Sequence, residues 1–385
     1  MNTAQNSLEK VSGQPSWRLA SRDVEAFVTE QGGQLGPVTF DRQGQKIQPY
    51  SVAPWAEEPL DPSQPPIIQA LRGDFFCLPF GGNGASFQGE QHPVHGETAN
   101  AKWHFESLDT AHGRSTLRLS LATTVRPGRV AKEITLVEGH SAVYSKHTIM
   151  GMSGPMNPGH HAMLKFPAEP GSGLLSTSPF TYGQVFPGAF ESAENYGYSS
   201  LKAGAEFNTL AAVPLATGGA ADLSQYPARR GYEDLVMLVS ALDVPFAWTA
   251  VSFPKQRYVW FALKNPRVLR ETVFWISNGG RHYPPWSGRH TAIIGLEEVT
   301  AYFHYGLAES AQDNPISAQG IPTCHTLDPN QPFVVPYIMG VALVPEGFGR
   351  VRTILPSPHR DAIELQSETN QCVRVQLDTG FLDVA

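Results

Sequence analysis

Disulfide frameworks, membrane helices and nucleic-acid-binding charge are all outside what this 385-residue chain can build from its residues. Cysteine occurs three times, at Cys77, Cys324 and Cys372. An odd number at wide spacing excludes a disulfide framework and a metal knuckle, and three free thiols fit a reducing, cytoplasmic compartment. Charged residues make up only 16%, and 28 basic against 35 acidic side chains leave a net charge of -7. No basic run or aromatic-interleaved basic stripe is present, so no nucleic-acid partner is expected. Apolar runs such as Phe333 to Val344 are broken by Pro336 and Gly340. They fall short of the roughly 20 residues a membrane helix needs, so no membrane partner is expected either. The first residues offer Asn, Gln, Glu and Ser where a signal peptide has a basic start and an apolar centre. Helix-forming stretches are scarce as well: the one of note, Ala301 to Gln312, is interrupted by Gly306. That excludes a doubly wound α/β sheet, which needs a long helix between successive strands.

What is present is the alternation of half-buried strands. Leu117, Leu119 and Leu121 alternate with Arg118 and Ser120, and Ile134 and Leu136 repeat the pattern. Apolar segments at Phe246 to Val251, Tyr258 to Leu263, Val273 to Ile276, Ile293 to Leu296 and Val334 to Val344 are rich in β-branched and aromatic residues. Gly (36) and Pro (32) punctuate them. The chain therefore reads as all-β and antiparallel with few short helices, as one domain over 1–385 with extra strands at 345–385. Two polar stretches, 48–66 and 201–230, read as long loops of the kind that rim a site.

Chemistry concentrates in four segments: Arg72 to Gly82, His92 to Trp103, His160 to Phe166 and Arg281 to Glu298. An imidazole and a carboxylate suffice to open a cyclic hemiacetal, one taking the proton of the anomeric hydroxyl while the other protonates the ring oxygen. No metal or cofactor is needed for this, and none is expected. Arg72 beside Gly73 suits forked hydrogen bonding to a sugar hydroxyl or a phosphate. Trp286 and Tyr283, beside Arg281, His282 and Arg289, suit stacking on a sugar face. Trp103 reads as core, and Cys77 as packing.

The run R-G-D-F-F-C-L-P-F-G-G (72–82), then H-G-E-T-A-N-A-K-W (95–103), N-P-G-H-H-A-M-L (157–164) and G-L-E-E (295–298) resembles the galactose mutarotase (aldose 1-epimerase) superfamily. The branch acting on hexose phosphates is the most similar part of it. The resemblance spans roughly Val24 to Val344 and implies a large antiparallel β-supersandwich with an open cleft on one sheet. It further implies an aldose 1-epimerase-like isomerase in which His161 is the general acid and Glu297 the general base. His95 would face the sugar, and Asp234, in G-Y-E-D-L-V, would bind a sugar hydroxyl, with Arg72, Arg281 and Trp286 orienting the ligand. An ionised Glu297 beside a proton-bearing His161 would give a bell-shaped pH dependence.

His160 competes with His161, because a one-residue slip reverses the facing of a strand residue. Glu97 and Glu298 depart from the family pattern, which leaves a sugar-binding or sensing module without efficient turnover as the alternative. Glu298 is adjacent to Glu297, so only one of the two enters the cleft if the segment is a strand. Arg72, Arg281 and Arg289 together raise a phosphorylated sugar as a further alternative. The partner in each case is a small sugar or sugar phosphate.

Overall fold

The computed structural model describes residues 7–384, and the alternation read above becomes antiparallel sheet over most of them. The strands expected around Leu117 and Ile134 are Arg114–Thr123 and Gly128–Val137, paired antiparallel with Leu117 opposite Ile134. They belong to a sheet of nine strands that faces a sheet of seven. Between the two lies the largest apolar cluster, to which Trp260, Ala262, Tyr337 and Met339 of the larger sheet and Val236, Leu238, Phe274 and Leu296 of the smaller contribute.

Each large sheet is also covered on its other face, which explains why several strands read as unbroken apolar runs rather than alternations. Tyr258–Lys264 and Glu271–Asn278 are buried at every residue. On the outer face of the nine-stranded sheet, Val259, Phe261, Leu263 and Ile338 pack with Ile354, Ile363 and Leu365. The latter three come from a three-stranded sheet, Val351–Pro356, Ala362–Ser367 and Cys372–Gln376, built by the C-terminal stretch. On the outer face of the seven-stranded sheet, Met163, Leu235, Met237, Val273 and Trp275 meet Trp55, Phe75, Phe80 and Trp286, contributed by connecting segments. A four-stranded sheet covering Glu9 to Phe40 closes one end and adds Trp17, Leu19 and Val38 to the central cluster.

Three expectations about local structure change. The segment from Ala301 is a series of turns, and only Leu307–Ala311 is helical. Gly306, at φ +135, passes so close to Asn83 that a Cβ would sit 2.5 Å from its Oδ1, and Leu307 N donates to that same oxygen at 3.0 Å. The polar stretch 48–66 is tied to the sheet by bridges Tyr50 to Leu164 and Val52 to Arg72. The stretch 201–230 holds four two-residue strands rather than a free loop. No helix among the described residues is long and apolar enough to cross a membrane.

Candidate active site

Alternation on the seven-stranded sheet decides which polar residues face its outer side. In Gly159–Lys165 the outer face takes Gly159, His161 and Met163, while His160, Ala162 and Leu164 point to the central core. In Ile293–Val299 the outer residues are Ile293, Gly295, Glu297 and Val299. The two strands pair antiparallel with His161 directly opposite Glu297. Directly opposed side chains are the nearest cross-strand neighbours, and His161 Nε2 stands 3.1 Å from Glu297 Oε1. Gly295 makes the room: a Cβ there would lie 2.6 Å from Glu297 Oε1.

Rings wall this pair in. Phe75 stacks on the His161 imidazole at 4.5 Å and 22°, and Trp275 meets it edge-on at 5.7 Å. His95 is edge-on at 5.0 Å, and His304 lies 4.8 Å beyond His95. His95 sits at φ +59 before Gly96 at φ +75, where a Cβ would strike Leu78 O at 1.9 Å, so the pair His-Gly reflects a tight turn that no other second residue permits. Gly81 N donates to His95 Nδ1 at 3.4 Å, with Cys77 Sγ 3.3 Å from the same nitrogen. An accepting Nδ1 places the proton of neutral His95 on Nε2.

One further wall is cationic and aromatic, and Pro65, Ile67, Ile68, Leu71 and Val94 make another, which is apolar. Arg281 lies over the rings of Trp286, Trp275 and Phe190 at 4.7, 5.3 and 5.4 Å. Its Nε donates to Glu191 Oε1 at 2.5 Å, and Tyr283 OH donates to the same carboxylate at 3.3 Å. Behind Trp275, Glu233 accepts from Trp275 Nε1, Ser277 Oγ and Gly280 N at 3.0, 2.9 and 3.2 Å. Phe75, His95, His304, Trp275, Trp286 and Arg281 line, with those aliphatic residues, a pocket of about 130 Å³ floored by His161 and Glu297. That is below the 300–1,000 Å³ typical of pockets for drug-sized molecules and suits a single small ring.

Burial sets the protonation of the floor. It drives His161 down to about 3, with the charges of His304 and Arg281 adding to the effect. It also drives Glu297 well above the usual carboxylate range, against a smaller pull from Arg281. Glu297 Oε2 and His161 Nδ1 are buried without a partner. The 3.1 Å contact satisfies an ion-pair distance, yet burial works against charge on either partner, so both directions favour a carboxylic acid against a neutral imidazole. Both directions run against the expectation of an ionised Glu297 beside a proton-bearing His161. His304 falls to about 4 through burial and Arg281, and burial raises Glu233 to about 7 despite Arg281. Burial also works against the Arg281 charge, but Glu233 and Glu191 outweigh it and hold the guanidinium above its ordinary pKa.

His95, His161, Arg281, Trp286 and Glu297 thus line one pocket. Arg72 and Asp234 do not. Arg72 is fully buried away from it, and its Nε, Nη1 and Nη2 each donate at 2.8 Å to the backbone carbonyls of Ala70, Val11 and Ser12. It is a core staple, because the N-terminal strand turn supplies carbonyls that a local pattern does not reveal. Asp234 faces the other side of its strand and accepts from Ser200 N, Leu201 N and Ser200 Oγ at 2.8, 2.9 and 2.6 Å. The carboxylate on the pocket side is its neighbour Glu233, in phase with Leu235 and Met237. That phase was the available signal for it; Glu191, Trp275 and His304 arrive from separate segments with no local sign.

His160 faces the core, its Nδ1 2.8 Å from Asp74 Oδ2. Glu298 also points inward, to Lys264, Thr249 and Thr272. Glu97 accepts from Thr124 N and Val125 N, both at 3.0 Å, outside the pocket. Arg289 forms a two-pronged pair with Glu58. Trp103 is core, its Nε1 donating to Thr98 O. Among the described residues, no group of three or more His, Cys, Asp or Glu has the placement to hold a metal ion.

No protein-family model and no curated protein matches the sequence. Solved structures do match the fold. A candidate aldose 1-epimerase from Escherichia coli K12 superposes with a TM-score of 0.58 at 12% identity, over 86% of this chain and 100% of that one. A galactose mutarotase-like protein from Clostridium acetobutylicum gives 0.59 at 13% over 88% and 98%. A galactose mutarotase related enzyme from Lactobacillus acidophilus gives 0.55 at 13% over 86% and 99%. The chain has the all-β, galactose mutarotase-like sandwich fold.

Proposed function

We propose that this galactose mutarotase-like chain is an aldose 1-epimerase-like isomerase that interconverts the anomers of a small sugar, with His161 and Glu297 as its acid–base pair. The observation that carries the reading is the 3.1 Å contact between these two groups on the floor of a ring-sized pocket. The ring oxygen and the anomeric hydroxyl of a pyranose hang from the same carbon, so two groups this close are matched to both. From the resting state, the Glu297 carboxyl gives its proton to the ring oxygen while His161 takes the proton of the anomeric hydroxyl. The bond from C1 to the ring oxygen breaks and the aldehyde forms. After rotation about the adjacent carbon–carbon bond, the freed hydroxyl attacks the other face of the aldehyde. Its proton returns to Glu297, and His161 reprotonates the anomeric oxygen. The donor and acceptor roles are therefore exchanged relative to those the resemblance implied.

Two features weigh against the alternatives. Glu97 and Glu298, which motivated a binding module without turnover, lie outside the pocket. Of the three arginines that motivated a phosphorylated sugar, Arg281 alone lines the pocket, and Glu191 already neutralises it. An uncharged sugar fits that balance better than a phosphate. Polarimetry on freshly dissolved α-glucose and α-galactose, with their 6-phosphates as controls, tests the reading. Accelerated anomerisation of a neutral sugar, lost in both His161→Asn and Glu297→Gln, supports it; binding without acceleration overturns it.

A further inference from the structure

The aliphatic wall of the pocket has nothing to offer a hydroxyl. Pro65, Ile67, Ile68 and Leu71, on and beside the short helix Pro66–Ala70, form it together with Val94. Their backbone is already engaged. Pro65 O accepts from Ile68 N and Gln69 N at 2.9 and 3.3 Å, and Leu71 O from Ala53 N at 2.9 Å. Ile67 O accepts from Gln34 Nε2 at 3.3 Å, Ile68 O from Trp55 Nε1 at 2.8 Å and Val94 O from Asn100 Nδ2 at 2.6 Å. Asn100 Oδ1 in turn accepts from Ile67 N at 3.2 Å, so one side chain ties the two parts of the wall together. Each carbonyl of the wall thus has its donor within the protein.

An aldohexopyranose carries hydroxyls on C2, C3, C4 and C6 beyond the two oxygens that the acid–base pair serves, and each both donates and accepts. The pocket is short of acceptors for them. Arg281 only donates, and His95 presents its Nε2 proton while Gly81 N engages its Nδ1. His304, kept neutral by burial, adds one accepting nitrogen. The Trp275 indole is turned to Glu233, and Asp234 and Arg72 bond elsewhere. A hydroxyl pressed on the aliphatic wall would leave water without gaining a partner, whereas a methyl or methylene gains by leaving water. We propose that the ligand of this site is a deoxy sugar, seated with the carbon that lacks its hydroxyl against Ile67, Ile68, Leu71 and Val94. This names the substrate class of the function proposed above and rests on that reading.

The test compares glucose and galactose with their 2-, 3-, 4- and 6-deoxy forms on the full chain, by polarimetry for anomerisation and by isothermal titration for affinity. At least one deoxy form should exceed its parent about tenfold or more in both kcat/KM and affinity, a difference of roughly 1.4 kcal/mol. Ile68→Thr combined with Val94→Thr sets hydroxyls on the wall at nearly unchanged volume and should cut that preference about threefold or more. Val94→Thr alone, at a position 38% exposed, should move it in the same direction and serves if the double variant does not fold. Parents bound and anomerised as well as every deoxy form overturn the deoxy class and leave the epimerase reading intact, as does a preference that survives the threonine variants. A deoxy preference in affinity with no anomerisation of any sugar overturns the epimerase reading and keeps the ligand class. If none of the sugars binds, both fall.

Discussion

Removing Lys264 while keeping Glu298 would strand a carboxylate between the two large sheets. Both side chains are about 1% exposed, and Lys264 Nζ contacts Glu298 Oε2 at 2.5 Å, Glu271 O at 2.6 Å and Thr272 Oγ1 at 2.9 Å. Lys264→Met fills most of the vacated volume, so the cavity contribution is small. What remains is a buried carboxylate held only by the Thr249 and Thr272 hydroxyls, both at 2.6 Å, and a carbonyl without its donor. Breaking a buried pair from one side costs about 3–5 kcal/mol. With an unfolding entropy of about 2.1 cal/mol/K per residue, a loss of about 4 kcal/mol lowers Tm by about 5 °C in a chain of this length. Adding Glu298→Gln removes the charge while keeping acceptors for the two hydroxyls, and should restore most of the loss. Differential scanning calorimetry of the wild type and both variants reads this. A single variant within 1 °C of wild type, or a double variant no better than the single, refutes the reasoning.

Below about pH 6.5 the buried imidazoles work against the fold, while the raised carboxyls of Glu233, Glu271 and Glu297 work the other way. Burial holds His161 down at about 3 and His304 at about 4, and holds His95, His147 and His290 well below the imidazole range. Unfolded, each takes up a proton near 6.5 while the native state does not, so each withdraws stability as pH drops below about 6.5, by up to about 1.4 kcal/mol per pH unit. Removing one imidazole isolates its share: His147→Gln should gain stability relative to wild type more at pH 5.0 than at pH 7.5, read as urea midpoints, and a difference that does not change with pH would contradict this. Glu297→Gln should stabilise the fold increasingly as pH rises above the ordinary carboxylate value, because the raised pKa of Glu297 makes its ionisation unfavourable in the native state; thermal melts across pH 5 to 8 check the trend. Gly295→Ala should displace the Glu297 carboxyl and abolish anomerisation, and should lower Tm as well because the added Cβ meets Trp275 Cβ at 3.1 Å, whereas activity retained in the folded variant would contradict the packing described. Arg72→Met should cost several kcal/mol, about 1–3 for each of its buried carbonyl partners left bare, and leave sugar affinity untouched; weakened sugar binding in a folded variant would return Arg72 to the ligand.

Period carried most of what the sequence disclosed. Arg114–Thr123 and Gly128–Val137 were legible because one face of each is wetter than the other, and Tyr258–Lys264 because a strand covered on both sides has no polar phase at all. Facing was legible only where the phase was anchored. His161 and Glu297 share theirs with the apolar Met163 and Val299, but Asp234 was chosen one residue away from Glu233, and a strand turns every other side chain around. The helix over 301–312 shrank to five residues because Gly306 must pass Asn83, a contact between segments more than 200 residues apart. Arg72 was misread for a related reason: its three acceptors lie in segments that include Val11 and Ser12, and nothing around Arg72 announces them. The His304, Glu191 and Trp275 walls of the pocket assemble only when sheets pair, so no local motif holds them together.

The most direct test of the central claim is saturation transfer between the α and β anomeric protons of glucose and galactose at pH 7. Wild-type chain at micromolar concentration should raise the exchange rate well above that of buffer, with His161→Asn and Glu297→Gln each returning it to the buffer value while the folded structure is kept. Wild-type exchange no faster than buffer, for a sugar shown to occupy the pocket, would contradict it.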